Sequence, residues 1–572
     1  MAIGRSFRAI ALVALAVAGL AAFAACASED PTATPTPTSP PAAPDATPTP
    51  PPTATPTTEP TPTPGPQYGG TLAYWIRSDP PGWDPWGRTR FWDPTRKIAE
   101  LVFNPLYSPT AHTGDSCKIT LDGEIAESWD FVEPTVLEFK IRQGVMWHDK
   151  APLNGRELTA DDVVYTLNER YAQGLAGGSY VNQVFFDRAE AVDSHTVHVH
   201  LNKPFDFIKG FPSGNRQGWI VAPEASAEDV LEDPAQSWIG TGPFMFVSHE
   251  TGTKVTFERN PNYFKEGLPY ADTVEAHVIA DAATRLAALR GGQINVFPAA
   301  GPRPIQEIRN TNPDYFTKSC PSLFHLEIRM RLDKEPWNDV NVRRAMSMAL
   351  DRDAIVQVAL AGDGMPVLEA WPLDPEALAI DGYPEDVQPY LQYNPDMAKQ
   401  LLAEAGYPDG FKTTVVWTAQ YGAPWQEVAE TMLTMLRAVG IEAEFNMMEY
   451  GPFLGTGSQR AWDDLYFGWT NSFDLDDLAA TYFWSEQMPA NTLSLNPDAA
   501  LDDIVERLWG STGNDRAMVA EELQVYVADN SYRITSPVWG NGIIARPEVK
   551  NVGWRGTNKM YHRVFENAWL DE

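Results

Sequence analysis

The sequence predicts an α/β protein of more than one domain, and three observations carry that expectation. The chain has 572 residues, too many for a single hydrophobic core, so length alone calls for two or three domains. Hydrophobic residues make up 43%, the level of a globular protein and not of a membrane-embedded one. Strand patterns also alternate with capped helical patterns, most clearly over residues 394–447. Short strand–helix–strand connections there imply a parallel sheet with right-handed crossovers.

Charge and address narrow the function classes. Lys+Arg number 43 against Asp+Glu 76, a formal net charge of −33. No basic run exists beyond the extreme N-terminus, which argues against nucleic acid or an anionic lipid surface as partner. Residues 1–25 have the composition of an export signal: Arg5 and Arg8, then an Ala/Leu/Val-rich run ending in Phe23-Ala24-Ala25-Cys26. The run is short for a membrane span, and the small residues before Cys26 mark a cleavage site. They also resemble a lipobox, with Phe23 where Leu is usual, and so make Cys26 the lipidated first residue. The globular part is then extracytoplasmic, in the periplasm or at the cell surface, anchored to the outer face of the cytoplasmic membrane. Residues 26–66 follow as a Pro/Thr-rich tether. It has almost nothing to bury and favours stiff polyproline II at roughly 3 Å per residue. Its Thr/Pro density also permits O-glycosylation. Beyond it two cysteines remain, Cys117 and Cys320. An exported compartment allows them to pair, and two separate buried thiols fit the sequence equally well.

Along the chain, Gly69-Gly70 precede a strand that includes Trp75, and a turn-rich loop then carries Trp83 and Trp86. Residues 98–103 predict a helix that ends before Pro105. Residues 125–171 are the most structured stretch. The segment 136–142 alternates apolar and polar as a half-buried strand does, and Gln143-Gly144 ends it. Thr159 and Asp162 form a capping box before an apolar-periodic helix. Residues 195–201 place His198 and His200 on one strand face. A single strand does not supply a ligand sphere, so this is read as a packing strand leading into Lys203-Pro204-Phe205 and no metal site is assigned. Gly240-Thr241-Gly242-Pro243 predicts a structural turn, with glycines for φ > 0 or close backbone approach. It is no phosphate loop, since no Lys-Ser/Thr follows. Residues 281–296 predict a short helix closed by Gly291-Gly292, then a strand. Asn394 caps a helix with Pro395 at its first position and Gly406 after its end. Strands are predicted at 411–417, 441–447 and 464–468, with a helix over 425–439. Residues 496–508, 515–527 and 536–539 are similar to two helices and a returning strand of a known family, named below.

Several of these segments resemble the signature of the family 5 extracellular solute-binding proteins, the peptide- and nickel-type receptors of ABC importers. The resemblance rests on Ile125-Ala126-Glu127-Ser128-Trp129, Phe139-Lys140-Ile141-Arg142-Gln143-Gly144-Val145, Trp147-His148-Asp149-Lys150 and Leu158-Thr159-Ala160-Asp161-Asp162-Val163. Lys150 departs from the family's usual Gly. Further matches are Gly240-Thr241-Gly242-Pro243-Phe244, Asn260-Pro261-Asn262-Tyr263-Phe264 and the Arg343-Arg344-Ala345 helix, where Arg343 is a paired helix arginine before it is a ligand residue. Together they span residues 68–539. The resemblance implies a two-lobed periplasmic-binding-protein-like α/β fold with an extra subdomain and hinge-connected lobes around a cleft. It places the lobe I core at 67–98, 239–320 and 536–572, the extra subdomain at 99–238 and lobe II at 321–535. It implies a monomer that closes on a solute and docks on an ABC permease in the membrane, with no cofactor and no catalysis.

Ligands of open α/β sheets bind beyond the carboxyl ends of strands. Two loops follow such ends: Trp417 to Tyr421, and Trp469, Asn471, Ser472 and Asp474. With Trp75, Trp83 and Trp86 these are the candidate ligand-binding residues; Trp539 is a further aromatic candidate. The family's loop here carries an acid that pairs with a peptide's α-amine; in this chain that position falls at Ser472, with Asp474 two residues on. Three functions compete: a peptide receptor, the same fold loaded with an oligosaccharide or other small solute, and a secreted glycoside-active enzyme. A sensory receptor without transport fits the same sequence. The enzyme would use the acids Asp463, Asp464, Asp474, Asp476 and Asp477, two of them held about 5–10 Å apart. No nucleophile elbow, zincin helix, Walker loop or Cys-x-x-Cys is present, so the reading is a binding protein, not an enzyme.

Overall fold

A computed structural model describes residues 65–85, 93–109, 121–172, 185–205, 218–227, 230–231, 233–321, 325–366, 376–470, 475–485, 496–553 and 562–571. The export signal, the tether up to Pro64, Cys26, Trp86, Cys117, Asn471, Ser472 and Asp474 lie outside them. In chain order the strands are β1 (Thr71–Ile76), the short pair β2 (Tyr107–Pro109) and β3 (Leu121–Gly123), then β4 (Ala126–Glu133), β5 (Val136–Ile141), β6 (Phe186–Asp193) and β7 (Thr196–Leu201). Next come β8 (Phe244–Glu250), β9 (Lys254–Arg259), β10 (Thr273–Val278), β11 (Val296–Ala300), β12 (Phe316–Pro321), β13 (His325–Met330) and β14 (Gly364–Met365). The last are β15 (Phe411–Trp417), β16 (Ile441–Met447), β17 (Leu465–Thr470), β18 (Ile534–Thr535), β19 (Val538–Ala545), β20 (Val549–Lys550) and β21 (Trp569–Leu570).

Among the described residues these strands build four main sheets, with orders β1-β10-β9-β8, β11-β19-β12, β4-β5-β7-β6 and β16-β15-β17-β13-β18. The expected parallel unit is there: β15 runs parallel to β16 and to β17. Its helix, Trp425–Ala438, buries Val428, Met432, Leu433 and Leu436 on one face. Asn394 accepts from the Met397 amide at 3.0 Å, Pro395 opens that helix and Gly406 takes φ +94° after it. The β4–β7 sheet is antiparallel throughout, and β5 and β7 alternate buried and half-buried residues after a first buried pair. Next to it Phe185 and Phe205 stack at 4.3 Å, and Phe185 meets Trp509 edge-on at 4.9 Å.

Two adjacent segments carry the chain between sheets. β12 pairs with β19 while the following β13 joins the five-stranded sheet; β18 pairs with β13 while the following β19 returns. The crossings are tied together, because the Ser536 amide donates to the Leu326 carbonyl at 2.8 Å and Leu326 N donates to Ser536 Oγ at 3.1 Å. Arg343 is buried, donates to the carbonyls of Trp337, Asn338 and Asn530, and its guanidinium is pulled down by burial. It is a structural helix arginine.

The two most distinctive sequence segments meet at His148. Its amide donates to the Gly240 carbonyl at 2.8 Å, Nδ1 accepts from Gly240 N at 3.3 Å, and Nε2 lies 3.0 Å from the Gly242 carbonyl. A ring that accepts at Nδ1 and donates at Nε2 is neutral. Burial pulls the imidazole down to about 4 from 6.5. The unfolded chain therefore binds the extra proton between these values, so this contribution is complete above about pH 6.5 and is lost as pH falls toward 4. The expected loss is about 3 kcal/mol. Chemical denaturation at pH 7 and pH 4.5 measures it, and His148→Gln should flatten that part of the slope.

The Asp162 half of the capping box forms, with Oδ2 accepting from the Thr159 amide at 3.0 Å, while the Asp162 amide donates to the Thr159 carbonyl at 3.1 Å. Asp162 also takes a bidentate pair from Arg156 at 2.8 and 2.6 Å, which locks the helix start to the preceding turn.

Candidate functional site

The parallel run of β15, β16 and β17 brings Trp417, Met447 and Thr470 to one sheet edge. At the end of β15, Thr418 caps the single turn Ala419–Tyr421 by accepting from Gln420 N at 3.5 Å. That turn lifts Tyr421 into an aromatic nest. Its ring centroid lies 5.6 Å from those of Trp417 and Trp425, 5.7 Å from Tyr450 and 5.8 Å from Phe453. Trp469, at the end of β17, donates from Nε1 to the Tyr421 hydroxyl at 2.8 Å. This bond joins the two loops predicted from sequence. Burial, then Tyr450, pushes the Tyr421 hydroxyl well above its usual range, so it stays a neutral phenol. Trp417 is fully buried beneath them and donates to Gln426.

A buried charge cluster supports the second loop. Glu327 on β13 is 1% exposed and accepts from Arg329 Nε at 2.7 Å and Arg533 Nε at 2.7 Å. Burial works to raise its carboxyl, but Arg533 and Arg329 overcome this and hold it down to about 2. Arg329 also donates to the Trp469 carbonyl at 3.3 Å, and so fixes the backbone where the loop leaves the strand. To do so it crosses Gly468, where a Cβ would stand 2.5 Å from Arg329 Nε. One carboxylate thus faces two guanidinium groups beside the site. The sequence signal for it was two charged residues, Glu327 and Arg329, alternating with the apolar Leu326, Ile328 and Met330.

A third part comes from another sheet. Trp539 on β19 meets Trp425 edge-on at 4.4 Å. Arg303 and Glu427 form an exposed ion pair between the helices Pro302–Thr311 and Trp425–Ala438. The structure thus brings together Trp417, Tyr421, Trp469 and, through Trp425, Trp539.

The remaining candidates sit elsewhere. Trp75 on β1 is 5% exposed, its ring between Arg285 at 3.9 Å and Lys97 at 4.3 Å. Trp83 packs edge-on against Trp238 at 5.1 Å and Phe246 at 5.4 Å. Cys320 is buried and disulfide-bonded.

Residues 120–490 match the family model of bacterial extracellular solute-binding proteins, family 5. The dipeptide-binding protein of Escherichia coli (strain K12) is 29% identical over 438 residues, covering 72% of this chain and 78% of that protein. The fold matches the periplasmic binding protein DppA from Helicobacter pylori, solved in complex with the peptide STSA. Its TM-score is 0.71 at 20% identity, over 88% of this chain and 99% of that one. It also matches the binding protein AgaA from A. tumefacien R10, in complex with agropinic acid, with a TM-score of 0.71 at 21% identity, over 88% and 99%. The architecture is therefore that of two-lobed periplasmic binding proteins, and its homologues are substrate-binding proteins of ABC transporters. No helix among the described residues is long and apolar enough to cross a membrane. The chain belongs to the bacterial extracellular solute-binding proteins, family 5.

Proposed function

We propose that the chain is the extracytoplasmic receptor of an ABC importer that captures a peptide-like solute between its lobes and delivers it to a membrane permease. The observation that carries this reading is the Trp469–Tyr421 pair at the ends of β17 and β15, with Trp539 reaching the same helix from another sheet. Two aromatic loops on one lobe and a third ring from the other make a site that lobe closure completes. The paired crossings β12/β13 and β18/β19 are the hinge. The E. coli dipeptide-binding protein and the peptide-bound H. pylori protein support a peptide as cargo. Asp474 serves as the clamp for its amine, and Arg329, held by Glu327 beside Trp469, favours its carboxylate. Asn471 and Ser472 line the same loop. Cys26 carries the lipid anchor, Cys117 pairs with Cys320, and the protein works as a monomer without cofactor or catalysis.

A second reading, the same fold holding another small solute, draws on Ser472 at the acidic position and on AgaA, whose complex contains agropinic acid. A thermal-shift screen against peptides, oligosaccharides and agropinic acid separates the two. A ligand at 100 times its Kd stabilises the native state by about 2.7 kcal/mol. The expected result is a shift with short peptides that Trp469→Ala weakens by about 2 kcal/mol, roughly 30-fold in Kd. A shift with oligosaccharides or agropinic acid alone selects the second reading. Turnover of any ligand during the assay overturns both.

A further inference from the structure

The solvent face of the β4–β7 sheet carries a group of side chains that the transport reading does not use. His198 and His200 stand two residues apart on β7 and share one face, as the period of two in a strand requires. The sheet supplies what the single strand lacks. Glu190 on β6 is the cross-strand neighbour of His198 and accepts from or faces His200 Nε2 at 2.9 Å. Glu138 on β5 is the neighbour of His198 on the other side, 3.1 Å from its Nε2. One ligand atom each from Glu190, His198 and His200 lies within 4.8 Å of the others.

We propose that Glu190, His198 and His200 form a site for a borderline divalent transition metal of the zinc class, with Glu138 holding the His198 ring and the fourth position open to water. Two imidazoles and one carboxylate are the donor set of open zinc sites, and nitrogen donors favour zinc, nickel or copper over magnesium or calcium. Tetrahedral zinc with bonds near 2.0–2.1 Å needs ligand atoms about 3.3–3.5 Å apart. The observed spacing reaches that by small rotations of side chains with solvent on one side. His198 is 24% exposed and Glu190 49%. Both carboxylates have cationic neighbours that can yield. Lys140, 2.9 Å from Glu138, also reaches Thr196 Oγ1 at 3.4 Å, and Arg188, 3.8 Å from Glu190, is held by Asp187 at 2.7 Å. The buried face of the same strands, with Val197, Val199 and Leu137 in the core, fixes the backbone that presents the ligands. The site lies on a different sheet from the aromatic strand ends, so solute binding and metal binding are separable.

The test is calorimetric titration of the full-length, chelator-treated protein with zinc chloride, with magnesium chloride as the control. The expected result is one zinc per chain at micromolar concentration, undisturbed by magnesium. His198→Ala, His200→Ala and Glu190→Gln should each weaken binding by at least ~10–100-fold, the range already seen for residues one shell further out. Cobalt substitution should give the visible bands of a tetrahedral centre, absent in His200→Ala. All three side chains face solvent, so the variants should keep the metal-free thermal midpoint; Glu190→Gln keeps shape if a histidine variant does not. Failure to bind zinc stoichiometrically, or uptake unchanged in the His198→Ala/His200→Ala double variant, overturns the proposal.

Discussion

Glu327→Ala is expected to destabilise the protein by about 3–5 kcal/mol, because it removes the buried carboxylate to which both Arg329 and Arg533 donate. The effect follows from burial and not from the number of ion pairs. The Glu327 side chain is 1% exposed and that of Arg533 6%, so neither charge recovers hydration when its partner is removed. The exposed pair of Arg303 and Glu427, at 53% and 35%, is the internal control, and Glu427→Ala should change stability by no more than about 1 kcal/mol. Urea unfolding of both variants decides the point. Equal effects would show that the cluster is hydrated. The consequence extends to the site, since Arg329 fixes the Trp469 carbonyl. Glu327→Ala should therefore also loosen ligand binding, measured in the same thermal-shift assay.

Gly240→Ala is the second large effect, at about 3 kcal/mol or more, by overpacking against backbone that cannot move. A Cβ at residue 240 would lie 1.9 Å from the Val102 carbonyl oxygen and 2.7 Å from its carbon. Val102 ends the helix Asp93–Val102 and its carbonyl accepts from Gly242 N at 2.8 Å, so relief would break the turn that also holds His148. Gly291→Ala is the contrast: nothing lies within 4 Å of its Cβ position. There a gain of about 0.4–1 kcal/mol is expected from the reduced entropy of the unfolded chain. Thermal unfolding of the two variants checks both signs, and a mild Gly240→Ala phenotype would mean that the Asp93–Val102 helix shifts more readily than its packing implies.

The glycine case shows where local reading stops. Two explanations were open for Gly240 and Gly242, a positive φ or a close approach. The structure selects the approach, since neither glycine has φ > 0, both press on the Val102 carbonyl, and Gly242 also presses on that of Leu101. Nothing near residue 240 in sequence announces residue 102. His148 is similar: its sequence neighbours mark a turn, but its partners lie more than ninety positions away.

The candidate site divides in the same way. The strand ends at Trp417 and Trp469 were legible because alternation ends there and a helix cap or loop begins. Their joining through Tyr421, the edge-on contact of Trp425 with Trp539, and the support of Arg329 were not. Each depends on which strands become neighbours. Trp75 and Trp83 belong to the same aromatic class in sequence, yet one lies between two cations and the other against Trp238.

The sequence by itself determined the α/β class, the caps at Asn394 and Asp162, the parallel β15–helix–β16 unit and the family. All of these rest on sterics and hydrogen bonds between residues a few positions apart, or on patterns that such bonds impose. Only the tertiary structure decided the pairing of β12 and β19, the neutral state of His148, the Glu327 cluster and the three-strand convergence on His198 and His200. Those depend on burial and on charges brought together across as many as 206 positions, where the free energy belongs to the contact and not to the segment that supplies either half.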